Sequence, residues 1–153
     1  MSDVSVKLTR IEGMKFTSVN TAGHETITDG EKLTAASPVE MLLESLGGCT
    51  GSDIVLILDK MRTPAERLEI AIEGDRRRSE PRFYTDVHMR FDVWGGGIDP
   101  DKMARAVRLS LEKYCSVYHS LRSDLKTTAE FRIHAPGAEA AGAYQSVEFS
   151  RLP

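Results

Sequence analysis

The chain carries two cysteines, Cys49 and Cys115, each in a distinctive local sequence. Cys49 closes the run Ser37-Pro38-Val39-Glu40-Met41-Leu42-Leu43-Glu44-Ser45-Leu46-Gly47-Gly48-Cys49. Cys115 lies in Glu112-Lys113-Tyr114-Cys115-Ser116-Val117-Tyr118-His119. Two thiols brought together by a fold can work in sequence: one attacks an oxidant, the other traps the product as a disulfide. The plainer reading is a pair of structural cysteines, because free cysteine is among the most buried residue types.

Several polar residues stand near these thiols in sequence. Asp53 follows Cys49 by one helical turn, on nearly the same face. It can orient a partner or bind a cation, although such residues more often meet a basic side chain. Glu40 precedes Cys49 by nine positions, about half a turn out of phase at ~100° per residue. Helix capping explains Glu40 better, and Glu44 is also off the Cys49 face. His119 follows Cys115 by four positions and shares its face if the helix continues; an imidazolium there would favour the thiolate. Cys49, Cys115 and His119 would supply three metal ligands, but their spacing gives no support for zinc, and no metal is expected. Among the remaining polar features, His88 falls on the polar face of a strand. The run Arg76-Arg77-Arg78, flanked by Asp75 and Glu80, reads as a solvated hairpin end. The chain has no phosphate-binding loop and no serine nucleophile elbow.

The elements that must position the thiols are legible in outline. Val4, Val6 and Leu8 alternate with polar residues, and Phe16–Val19 and His24–Thr28 follow as short strands with turn signals between them. Ser37-Pro38 opens the clearest helix: Ser37 caps, Pro38 suits the first helical position, and Glu40 completes a capping box. The helical pattern runs to about Met61 with a broad apolar face, which predicts a central, largely buried helix. Gly47 and Gly48 cost about 1 kcal/mol each inside it relative to alanine, so close approach of another group is expected there. Leu68, Ile70 and Ile72 alternate, as do Thr85, Val87, Met89, Phe91 and Val93, predicting an antiparallel pair with one wet face. Asp99-Pro100 opens a second helix, with Met103, Ala106, Val107, Ser110 and Tyr114 on its inner stripe; the pattern continues, bent, through Cys115 to Leu121. Thr128–His134 is the last core strand. Residues 135–153 are an Ala/Gly-rich linker and C-terminal extension, in which Tyr144–Phe149 can add a short strand. The order of elements is α+β.

The 153 residues suit one domain with a real core, and the formal net charge of -3 gives no reason to expect nucleic acid as a partner. No apolar run approaches the roughly 18 residues of a membrane span, so no membrane is expected either. The N-terminal residues lack a secretory h-region, which points to the cytoplasm. Thiols are kept reduced there, so a transient disulfide is more in place than a permanent one.

The two cysteine segments together resemble the OsmC/Ohr superfamily of osmotically induced and organic hydroperoxide resistance proteins. The resemblance rests on Pro38-x-Glu40-x-Leu42-Leu43, on Leu46-Gly47-Gly48-Cys49 and on Glu112-Lys113-Tyr114-Cys115-Ser116, and runs from about Val4 to His134. It implies an OsmC-like domain over residues 1–134: antiparallel sheets packed around a long central helix in an intertwined homodimer, with sites at the subunit interface. It implies a thiol peroxidase in which Cys49 attacks an organic hydroperoxide and becomes a sulfenic acid. Cys115 then closes a Cys49–Cys115 disulfide, and an external dithiol resets the pair with no further cofactor. Lys15, Asp53, Glu112 and His119 are the candidate supporting residues. Two positions depart from the family's well-characterised peroxidases. Those carry a glutamate directly after the helix-opening proline, where this chain has Val39 and then Glu40. They also carry an arginine in the first hairpin, where Glu12-Gly13-Met14-Lys15 offers a lysine, a point charge and not a planar fork. The sequence is thus closer to a less characterised OsmC-like branch. That keeps open a second reading, a non-enzymatic dimer that binds a small apolar molecule or senses redox state.

Overall fold

The computed structural model describes residues 3–151. The chain divides into two compact units, one ending at Glu44 and the other beginning at Ser45.

The first unit holds three antiparallel strands, β1 (Val6–Glu12), β2 (Lys15–Asn20) and β3 (Glu25–Asp29), in the order β1-β2-β3. The alternating Val6 and Leu8 do not reach a core; both are exposed. Asp29 ends β3 as a buried carboxylate. It accepts from the backbone N–H groups of Glu31, Leu33 and Thr34 and from the Thr34 hydroxyl. Burial alone would raise its pKa, but these donors hold it below the usual carboxylate value.

The chain then enters α1 (Pro38–Lys60) through the expected capping box. Glu40 Oε2 accepts from Ser37 N at 2.9 Å and Ser37 Oγ at 2.6 Å, and Glu40 N donates back to Ser37 Oγ at 3.4 Å. The bonds from Ser37, with help from Lys32, bring the Glu40 carboxyl down to about 2. The helix ends where Arg62 takes a left-handed φ of 59° and Thr63 N donates back to Leu58 O.

The second unit is built on a sheet of order β4-β5-β6-β7: β4 (Arg67–Arg76), β5 (Tyr84–Trp94), β6 (Lys126–His134) and β7 (Gln145–Val147). The pairs β4·β5 and β6·β7 are antiparallel, but β6 runs parallel to β5, with Met89 opposite Ala129 and Val93 opposite Ile133. This corrects the expectation of wholly antiparallel sheets. The helical connection between β5 and β6 carries the chain back to the starting end, and a strand entered from there must run in the same direction. That connection holds α2 (Pro100–Leu109), a π-helical turn over Ser110–Tyr114, and α3 (Ser116–Ser120).

Beyond Glu44, α1 lies against β4. A Cβ on Gly51 would stand 2.8 Å from Ile70 Cδ1, and one on Gly47 would stand 3.1 Å from Ile72 Cδ1. A Cβ on Gly48 would meet nothing within 4 Å. Close approach therefore explains Gly47 and Gly51, not Gly48. Leu46, Thr50, Gly51, Ile54 and Leu58 are buried, whereas Leu42, Val55 and Leu56 are exposed, so the helix is half covered and not largely buried. Contrary to the sequence reading, α1 is long and apolar enough to cross a membrane by length and composition, with a mean hydropathy of 1.4. Its buried face nonetheless belongs to the core of this fold.

The expected wet face of β5 is closed at its C-terminal end. Asp92 accepts there from Arg132 Nε at 2.8 Å, His134 Nε2 at 2.7 Å and the Tyr144 hydroxyl at 2.7 Å. Trp94 Nε1 donates to Ala138 O and Arg132 donates to Gly142 O, so the Ala/Gly-rich stretch is pinned to the sheet before β7. His88, expected in solvent, is hydrogen-bonded to Thr128 and Glu130.

Candidate functional site

Cys49 lies in the second third of α1, half-buried, with Asp53 one turn further along the same face. Cys115 reaches the site from the other helical segment. The Asp99 side chain accepts from Lys102 N to start α2, and Ser110 ends it. At Ser110 the helix widens: its carbonyl accepts from Cys115 N at 2.8 Å, five residues on, instead of continuing the four-residue ladder. Cys115 then takes an extended conformation and caps α3, with its Sγ accepting from Tyr118 N at 3.4 Å. The break turns the thiol toward α1, where Thr50 Oγ1 donates to it at 3.5 Å.

The outcome is a compact cluster. One atom each from Cys49, Asp53 and Cys115 lies within 4.8 Å of the other two. Ser110 Oγ, wholly buried, donates to Asp53 Oδ2 at 2.7 Å and fixes that carboxylate. Cys115 is also wholly buried. Burial pushes its thiol pKa up, and the adjacent Cys49 raises it further; the bonds from Thr50 and Tyr118 N–H pull the other way without overcoming them. The two thiols are therefore unequal: one half-exposed, the other dry and reluctant to ionise. A cavity of about 430 Å³ opens beside Asp53, lined by Leu56, Ile57, Lys60, Met61, Arg105, Leu109 and Tyr114.

Of the supporting candidates, Asp53 is the one the structure brings to the thiols. His119 does not join the cluster at the thiols, although its N–H donates to Cys115 O at 3.1 Å. The helix breaks at Cys115, and His119 is exposed with its ring edge-on to Tyr118 at 5.5 Å. Glu112 accepts from Ser150 N at 2.9 Å and so ties the C-terminal segment to the π-helical turn. Nearby, Arg151 lies over the Tyr118 ring and donates to Tyr118 O. Lys15 stands at the start of β2 in the first unit, paired with Glu12 at 3.5 Å. Glu40 is engaged by Ser37 and Lys32, which bears out its reading as a capping residue. Thr50 and Ser110 are the site residues that sequence reasoning missed. For Ser110 a signal existed: it is a hydroxyl on the otherwise apolar inner stripe of α2.

A family model described as OsmC-like protein matches residues 28–130. Protein YhfA of Escherichia coli (strain K12) is 36% identical over 126 residues, covering 82% of this chain and 94% of that protein. A hypothetical protein from Aquifex aeolicus VF5 superposes with a TM-score of 0.79 at 28% identity, over 88% of this chain and 98% of that one. The organic hydroperoxide resistance protein OhrB of Bacillus subtilis superposes with a TM-score of 0.58 at 13% identity, covering 84% of this chain and 98% of that one, a likeness of fold alone.

Proposed function

The chain belongs to the OsmC-like protein family, and from that premise we propose that it is a cytoplasmic two-cysteine peroxidase for organic hydroperoxides. The observation that carries this is the meeting of Cys49 and Cys115 within 4.8 Å, one accessible and one buried. The Cys49 thiolate attacks the distal oxygen of the hydroperoxide. The O–O bond breaks, the other oxygen takes a proton and leaves as an alcohol, and Cys49 becomes a sulfenic acid. Cys115 then attacks the Cys49 sulfur, water leaves, and the disulfide closes. A disulfide needs sulfurs ~2.05 Å apart, so closure asks for a local shift of a few ångströms at most. An external dithiol restores both thiols by exchange.

Asp53 supports the first step. Held by Ser110 beside both sulfurs, its carboxylate can accept the Cys49 proton and return it to the leaving oxygen. This is a different arrangement from a glutamate after the helix-opening proline, because Glu40 here serves the helix cap. The substrate enters through the cavity beside Asp53, where Leu56, Ile57, Met61 and Leu109 can meet the organic group that hydrogen peroxide lacks, while Lys60 and Arg105 add charge to the lining. A second copy of the chain covers the exposed Leu42, Val55 and Leu56 of α1, in a homodimer with the site at its interface.

The test is the thiol state after a roughly stoichiometric pulse of cumene hydroperoxide, read by intact mass and peptide mapping. A Cys49–Cys115 disulfide in the wild type and a trapped Cys49 sulfenic acid in Cys115→Ser are expected. Thiols that stay reduced at that dose overturn the reading. The second reading, a non-enzymatic small-molecule binder, is favoured by the cavity beside Asp53. It prevails if the pulse leaves both thiols reduced while an apolar ligand raises the melting temperature.

A further inference from the structure

The donor set at the thiols is also that of a metal centre. Two sulfurs and a carboxylate oxygen converge within 4.8 Å of one another. In a tetrahedral site with Zn–S ~2.3 Å and Zn–O ~2.0–2.2 Å, neighbouring ligand atoms stand roughly 3.5–3.8 Å apart. Closing the cluster onto an ion therefore asks for movements of about 1 Å, within the reach of side-chain torsions. We propose that the reduced chain holds a thiophilic divalent cation of the zinc class between Cys49 Sγ, Cys115 Sγ and a carboxylate oxygen of Asp53.

Three features beyond the convergence fit this reading. Cys49 and Asp53 are one turn apart on a single helix, so their side chains converge without any loop having to order. The ligands have their own supports: Ser110 Oγ fixes Asp53 Oδ2, and Thr50 Oγ1 and Tyr118 N donate to the Cys115 sulfur. Such outer hydrogen bonds orient metal ligands and tune their basicity. The chemistry of the donors is selective as well. Two thiolates with one carboxylate suit zinc and its thiophilic neighbours and disfavour magnesium or calcium, which prefer an all-oxygen shell. Three protein ligands leave the fourth position open on the accessible Cys49 side.

Binding replaces two thiol protons by the cation, so the uptake of each ion releases two protons if both thiols begin protonated. The cation and the Cys49–Cys115 disulfide need the same sulfurs and exclude each other. A bound ion therefore masks the nucleophile, and oxidation of the pair expels the ion. The proposal goes beyond the peroxidase reading and does not rest on it, because binding needs only reduced thiols.

The test uses the full-length reduced chain and Cd²⁺ alone, in a buffer that does not coordinate metal, with the ultraviolet thiolate-to-cadmium absorption as readout. The wild type is expected to saturate at one Cd²⁺ per chain, and Zn²⁺ to displace it. Asp53→Asn is expected to keep the thiolate absorption but to weaken binding by about tenfold or more, and Ser110→Ala to weaken it measurably through loss of the outer hydrogen bond. The disulfide form is expected to bind none. No saturable absorption, unchanged affinity in both variants, or equal binding to the oxidised chain overturns the proposal. No hydroperoxide is present, so a chain that binds one Cd²⁺ yet consumes no peroxide sinks the peroxidase reading alone. The converse result sinks this one alone.

Discussion

Thr50→Val separates the two chemical steps. The substitution keeps the branched shape of a fully buried side chain and deletes the hydroxyl that donates to Cys115 Sγ at 3.5 Å. That bond matters most when Cys115 carries charge, which is the moment it attacks the Cys49 sulfenic acid. A hydrogen bond to a charged group contributes ~1.5–3 kcal/mol, and ~1.4 kcal/mol is a factor of ten in rate. Disulfide closure should therefore slow by about tenfold to a hundredfold at neutral pH, with the Tyr118 N–H left as the remaining donor. Sulfenic acid formation at Cys49 should stay within about twofold of the wild type. The sign of the pH effect follows from the same bond. Thr50 pulls the Cys115 pKa down against burial, so its loss raises that pKa further, and closure in the variant recovers as pH rises. Rapid-quench samples trapped with dimedone and weighed as intact protein resolve both steps. Closure as fast as in the wild type at neutral pH, or an equal slowing of both steps, refutes the reasoning.

Two further outcomes test other parts of the molecule. Asp53→Asn removes the proton acceptor beside Cys49 and should slow sulfenic acid formation by about a hundredfold, the usual scale for a positioned acid–base group; a wild-type rate in the same quench assay removes Asp53 from proton transfer. Asp92→Asn should cost the fold about 2 kcal/mol at neutral pH, measured from urea midpoints. Burial alone would raise the Asp92 pKa, but Arg132, His134 and Tyr144 outweigh it and bring it from 3.8 to about 2. A carboxyl whose pKa is depressed by folding contributes fully above the unfolded value and loses that contribution as pH falls through the folded one. Wild type and variant should therefore converge in stability between about pH 4 and pH 2, and parallel curves over that range count against the account.

The parts of the fold that follow from local side-chain patterns were legible. Ser37-Pro38-Val39-Glu40 signals its own capping box, Asp99-Pro100 the start of α2, and the alternation of Val87, Met89, Phe91 and Val93 the buried side of β5. The parallel pairing of β6 was not legible, because strand direction is set by where the preceding connection ends and not by the strand's own residues. The break before Cys115 was hidden for a similar reason. Ser110-Leu111-Glu112-Lys113-Tyr114 contains no proline or glycine, yet the helix widens where Ser110 bonds to Asp53 across the site. Beyond that break His119 is exposed and outside the cluster, while Glu112, a candidate drawn from the resemblance and not from helical spacing, bonds to the C-terminal segment. Asp53 was found because its relation to Cys49 is purely helical. Pairing the two cysteines came from the family resemblance, which carries tertiary information that spacing lacks.

Two thiols can divide one reaction only if their surroundings make them differ, and here the difference changes as the reaction proceeds. In the reduced chain, burial raises the Cys115 pKa, Thr50 and Tyr118 oppose that, and Cys49 adds a further rise through its hydrogen bond and its charge. The half-exposed Cys49 is thus free to act while Cys115 is held as the thiol. Once Cys49 becomes a sulfenic acid it carries no negative charge, and one cause of the Cys115 shift is gone. The two donors at Cys115 then act against burial without a charge on Cys49, so the second thiol becomes easier to ionise when its target appears. Cys49→Ser reproduces the loss of that charge without any oxidation. In that variant the midpoint of Cys115 alkylation against pH should move to lower pH than in the reduced wild type. The midpoint, unlike the absolute rate, is not altered by easier access of the reagent. A midpoint that stays in place or moves upward means that Cys49 does not control Cys115, and the order of the two steps must then come from accessibility alone.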